Sequence, residues 1–134
     1  MKLPRVLIVD DNAMNITLAQ VVLSADGWDV ESASDADEAL RQISAFGPDL
    51  ILMDIQLPGM DGLELAGRVK ADPATQHIVI VAFTAYAMRG DEEKMRAAGC
   101  EGYVSKPINV NQFSAQIRSM LPTPDRDRTP SSAL

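Results

Sequence analysis

Val6-Leu7-Ile8-Val9-Asp10-Asp11 is an unbroken run of four aliphatic residues that ends in two carboxylates. Similar runs recur at Leu50-Ile51-Leu52-Met53, closed by Asp54, and at Ile78-Val79-Ile80-Val81, followed by Thr84. A strand with one face in water alternates apolar and polar residues. Continuous runs this short instead read as strands buried on both faces of a parallel sheet. A weaker strand from Trp28 to Ala33 and a short one from Gly102 to Ser105 complete a set of five.

Helical periods fill the spaces between them. Met14, Leu18, Val21, Val22 and Ala25 fall at i, i+4, i+7, i+8 and i+11 and predict the buried face of a first helix. Ala36, Ala39, Leu40 and Ile43 repeat the pattern, as do Val110, Phe113, Ile117 and Met120. Ser34 with Asp37 suggests a capping box, and Asn109 stands where an N-cap belongs. Gly27, Gly47 and Gly99 each follow a helical stretch, where a left-handed residue ends a helix. Five strands alternating with five helices imply an open α/β sandwich, and right-handed crossovers put helices on both faces of the sheet.

The chain has 134 residues, enough for one domain at roughly 100–200 residues per domain. Its 46% hydrophobic content is sufficient for a core. Twelve Lys plus Arg against 19 Asp plus Glu give a net charge of −7, which argues against nucleic-acid backbones and polybasic membrane contacts. A single cysteine, Cys100, excludes an internal disulfide, and a single histidine, His77, excludes a Cys/His zinc cluster. Cys100 reads as a small packed residue rather than a nucleophile. No apolar run approaches the roughly 20 residues that span a bilayer. Met1-Lys2 is followed too soon by Asp10 and Asp11 to open a signal peptide. The expectation is a soluble, acidic, cytoplasmic domain over residues 1–121. Residues 122–134, with three prolines and no apolar period, read as a disordered tail or linker.

The polar residues gather at one edge of this scaffold. Asp10 and Asp11 end the first strand, Asp54 the third, Thr84 the fourth and Lys106 the fifth. Open α/β sheets bind ligands outside the carboxyl ends of their strands, near a topological switch point. Each residue alone has an ordinary structural reading: an Asp after a strand is commonly a helix cap, and a lysine is commonly solvated. Together they are harder to dismiss, because clustered carboxylates repel unless a cation compensates. Oxygen-only donors select a hard ion, and Mg²⁺ suits a site with few carboxylates and several waters.

Val-Leu-Ile-Val-Asp10-Asp11-Asn12, Leu-Ile-Leu-Met-Asp54-Ile-Gln-Leu-Pro58-Gly-Met-Asp-Gly62, Phe83-Thr84-Ala85 and Tyr103-Val-Ser-Lys106-Pro107 resemble the response-regulator receiver (CheY-like) domain. The likeness covers about Arg5 to Leu121, with every signature block in order. In detail it is similar to single-domain regulators of the DivK type and to receivers of hybrid sensor kinases. The resemblance implies a flavodoxin-like doubly wound sheet of order 2-1-3-4-5. It implies Asp54 as phosphoacceptor in a two-component phosphorelay, with Mg²⁺ (or Mn²⁺) held by Asp11 and Asp54, by Asp10 through water, and by the Gln56 backbone carbonyl. Lys106 and Thr84 would contact the phosphoryl group, Ala85 would leave room for it, and Tyr103 would turn as the switch aromatic. The Lys106–Pro107 bond would be cis, and Gln56 and Tyr86 would tune phosphoryl lifetime. Expected partners are a histidine kinase or histidine phosphotransferase and a downstream protein on the face of the fourth helix, fifth strand and fifth helix. No DNA-binding output domain, nucleic acid or membrane is expected. The chain would be no enzyme in the usual sense, although it would catalyse its own phosphorylation and dephosphorylation.

Two alternatives stand beside this. The chain could be a receiver from within a hybrid sensor kinase. It could also be a Mg²⁺ phosphatase of the haloacid-dehalogenase type, but that class resembles Asp-x-Asp after the first strand, where this chain has Asn12. A pseudo-receiver used only for docking is disfavoured because the acidic residues, Thr84 and Lys106 are all intact.

Overall fold

The computed structural model describes residues 4–55, 62–84, 89–105 and 108–121. Strands β1 (Arg5–Val9), β2 (Asp29–Ala33), β3 (Leu50–Asp54), β4 (Val79–Thr84) and β5 (Gly102–Ser105) alternate with helices α1 (Ala13–Ala25), α2 (Ala36–Phe46), α3 (Gly62–Ala71), α4 (Arg89–Ala97) and α5 (Phe113–Arg118). All pairings are parallel, in the order β2-β1-β3-β4-β5. The chain therefore winds outward in one direction from β1 to β2, and in the other from β3 to β5. The direction reverses between β1 and β3, which places a crevice at their carboxyl ends.

Successive side chains of a strand point to opposite faces, and the central runs fill two separate cores. Leu7, Val9, Ile51, Met53, Ile80 and Ala82 pack with residues of α2 and α3, and with Met95 of α4. Val6, Ile8, Leu50, Leu52, Val81 and Phe83 pack with Ala19 and Leu23 of α1 and with Phe113 and Ile117 of α5. The edge strand β2 alternates exposed and more buried residues, as a half-solvated strand should.

Several boundaries differ from the sequence reading. Trp28 lies just before β2 and is buried, its indole N–H donating to Ser114 Oγ at 3.0 Å. Ile78 precedes β4, which begins at Val79 and ends at Thr84, the end that the sequence reading gives it. The cap of α2 is Asp35, not Ser34: Asp35 Oδ1 accepts from the Glu38 amide at 2.8 Å, and Glu38 Oε1 accepts from the Ser34 amide at 2.8 Å. Asp35 and Glu38 have the spacing of a capping box, but the return bond from Glu38 goes to Ser34, one residue before the cap. Asn109 serves a turn ahead of α5, accepting from the Asn111 amide at 3.1 Å, and α5 begins only at Phe113. Val110, predicted as core, is exposed. The glycine expectations hold, with φ of 88°, 65° and 103° at Gly27, Gly47 and Gly99.

The largest correction concerns α1. Met14, Leu18 and Val21 are exposed, whereas Ala19 and Leu23 are completely buried, with Ile16 and Val22 partly so. Small and apolar residues occupy most of this helix's circumference, so periodicity alone does not select a face. Ala19 lets the helix approach the sheet closely, and that contact decides the rotation. Among the described residues no helix is long and apolar enough to cross a membrane.

Candidate functional site

The crevice between β1 and β3 is where the acidic residues meet. Asp10 follows β1 and remains tied to the sheet, its amide donating to the Ala33 carbonyl at 3.1 Å. Asp54 is the last residue of β3, opposite Phe83 of β4. One carboxylate oxygen from each of Asp10, Asp11 and Asp54 lies within 4.8 Å of the other two. Asp10 and Asp54 are buried and Asp11 is exposed, so the cluster has a closed floor and an open rim.

The ordinary reading of Asp10 and Asp11 as helix caps does not hold. Asn12 caps α1, its Oδ1 accepting from the Met14 amide at 2.9 Å and the Asn15 amide at 3.2 Å. Asp10 in turn accepts from the Asn12 amide at Oδ1 (2.9 Å) and from the Asn15 side-chain amide at Oδ2 (3.3 Å). Three hard carboxylate oxygens this close repel one another, and one divalent cation among them removes the repulsion. The donor set suits Mg²⁺.

Thr84 is buried at the end of β4, and Tyr103 lies on β5 opposite Ala82, 37% exposed. Tyr103 borders a shallow cavity of about 230 Å³ with Met95, Cys100 and Met120. Burial, together with the adjacent Glu101 carboxylate, pushes the Cys100 thiol up to about 11, so it is a packed residue and no nucleophile near neutral pH. Gln56, Ala85, Tyr86, Lys106 and Pro107 lie outside the described residues.

Two contributors escaped the sequence reading. Asn15 is one, visible in sequence only as the second Asn of Asp11-Asn-Ala-Met-Asn15. Gly62 is the other. It opens α3, its amide donates to the Ile55 carbonyl at 3.1 Å, and a Cβ placed on it would overlap the Asp54 carbonyl oxygen.

Comparison with known proteins agrees with this architecture. The chain is 46% identical over 116 residues to the polar-differentiation response regulator DivK of Brucella anthropi, covering 87% of this chain and 94% of that protein. Among solved structures, the chemotaxis response regulator CheY4 of Vibrio cholerae superposes with a TM-score of 0.85 at 26% identity, over 90% of this chain and all of that one. A response regulator from Chloroflexus aurantiacus gives 0.84 at 31% identity, over 89% and 98% of the two chains. Residues 6–118 match the response regulator receiver domain, and with the three carboxylates at the β1/β3 crevice the chain belongs to that family.

Proposed function

We propose that this receiver is a phosphorylation-dependent switch that takes a phosphoryl group onto Asp54 from a histidine kinase or histidine phosphotransferase. The observation that carries the reading is the meeting of Asp10, Asp11 and Asp54 at the switch point of the sheet. An Asp54 carboxylate oxygen attacks phosphorus, the P–N bond of the phosphohistidine breaks, and imidazole leaves with its electron pair and takes up a proton. A bound Mg²⁺ (or Mn²⁺) would neutralise the phosphoryl oxygens during this in-line transfer. Asp11 and Asp54 would hold it directly and Asp10 through water, with the Gln56 carbonyl as the further protein donor. Asp54 sits at the end of a fully buried strand, so its position is set by the sheet rather than by a loop. The same residues would support hydrolysis of the aspartyl phosphate, with Gln56 and Tyr86 tuning its lifetime. Because the chain acts on its own carboxylate, it is no enzyme in the usual sense.

Family membership favours this reading over the phosphatase alternative. A protein donor must bring its phosphohistidine to Asp54, and Met14, Leu18 and Val21 give α1 an exposed apolar face leading away from Asp11. The charge of −7 weighs against nucleic acid as the output target. We assign the chain to the cytoplasm, where phosphohistidine donors are charged from ATP.

Signal output would pass through Thr84 and Tyr103 to a partner on the face of α4, β5 and α5. A phosphoryl group on Asp54 draws the Thr84 hydroxyl toward it, which opens space for the half-exposed Tyr103 ring. Such coupling is typically worth about 1–3 kcal/mol, so it shifts a population between states of one fold. Amide NMR shifts on adding beryllofluoride, a phosphoryl mimic, are expected to concentrate in residues 84–106. Changes confined to the surroundings of Asp10, Asp11 and Asp54 would instead indicate a passive phosphate sink.

Lys106 would meet the phosphoryl group as a point charge. Lys106→Ala should therefore leave thermal unfolding close to wild type while impairing partner switching. Normal phosphorylation together with normal switching in this variant would remove Lys106 from the mechanism.

A further inference from the structure

We propose that Asn15 is a positioning residue for the metal site, holding the buried Asp10 carboxylate in the orientation from which it would reach the ion through water. This rests on the metal-assisted phosphoacceptor reading above. Asn12 is the N-cap and Asn15 is the third residue of the helix, the position whose side chain in a capping box reaches back to the N-cap amide. Here that amide is already taken: Asn12 N–H donates to Asp10 Oδ1 at 2.9 Å. Asp10 thus fills the acceptor role that a Glu would otherwise supply from within the helix. The third position is free to carry a donor, and Asn15 Nδ2 donates to Asp10 Oδ2 at 3.3 Å.

Each oxygen of a fully buried carboxylate thereby receives an N–H from the first turn of α1. The turn itself is fixed by the Asn12 side chain, which bonds the Met14 and Asn15 amides and so locates the Asn15 backbone. A Glu or Asp at position 15 would set a carboxylate against a carboxylate. An aliphatic residue would leave Oδ2 without this donor and Asp10 freer to turn. Partners in the outer shell of a metal site orient the ligands, and losing one typically costs about 10- to 100-fold in metal affinity or activity.

The test is calorimetric titration with Mg²⁺ alone, without phosphodonor, on wild type, Asn15→Leu and Thr17→Leu. Thr17 is exposed on the same helix and receives the same kind of change. Asn15→Leu is expected to bind Mg²⁺ about tenfold more weakly, and Thr17→Leu like wild type. In phosphorylation assays with a small phosphodonor, Asn15→Leu should need correspondingly more Mg²⁺ for half-maximal rate but reach the wild-type rate at saturation. A purely structural role would lower the saturated rate as well. Wild-type affinity in Asn15→Leu, equal losses in both variants, or failure of Mg²⁺ to restore the rate would each overturn the assignment. Absence of Mg²⁺ binding by the wild type would overturn the underlying site reading instead.

Discussion

Asp54→Asn is expected to abolish the Mg²⁺-dependent gain of one phosphoryl group expected of the wild-type chain with a small phosphodonor. Asparagine keeps the size and planarity of the side chain, so the sheet end and its packing survive. It lacks the carboxylate charge with which Asp54 would attack phosphorus, and it leaves two carboxylates in place of the three whose oxygens lie within 4.8 Å of one another. Intact mass after incubation reads the outcome directly, and EDTA should suppress labelling of the wild type to the level of the variant. Metal-free Asp54→Asn should also unfold no more readily than wild type, because one of three mutually repelling charges has gone. Unchanged labelling in the variant would move the acceptor away from Asp54, with Asp10 and Asp11 the next residues to substitute.

Gly62→Ala should be the most damaging small substitution near the site. The added methyl would overlap the Asp54 carbonyl oxygen and stand 2.6 Å from Ile55 Cα. Both neighbours are backbone, so no side-chain rotation can relieve the clash, and overpacking of this kind typically costs about 1–3 kcal/mol. The strain falls on the peptide of Asp54, the proposed phosphoacceptor, so slower phosphorylation should accompany a lower denaturation midpoint. Gly67→Ala supplies the contrast. It lies on the same helix with nothing within 4 Å of its added Cβ. Alanine there should stabilise the chain, since it is the better helix former by up to about 1 kcal/mol. Equal behaviour of the two variants would show that the α3 start does not press on Asp54.

What the sequence by itself determined is the class of sheet and the residues at its carboxyl edge. Strands covered on both faces tolerate almost no polar residue, so Val6 to Val9 and Leu50 to Met53 declare themselves as unbroken apolar runs. Asp10, Asp11 and Asp54 are legible for the same reason, as the first polar residues after those runs. Gly27, Gly47 and Gly99 are legible because positive φ favours glycine. The rotation of α1 and the partners of the site residues were decided only by the tertiary structure. Along α1, Leu18 and Leu23 are equally apolar, and only the close approach of Ala19 to the sheet buries one and exposes the other. Neither the hydrogen bond from Asn15 to Asp10 nor the contact of Gly62 with Asp54 has a sequence signal that compels it. The first depends on the local path of the turn into α1, and the second on how α3 packs back against the end of β3. Local propensities leave such close approaches undetermined, and they arise when a helix packs down onto the sheet.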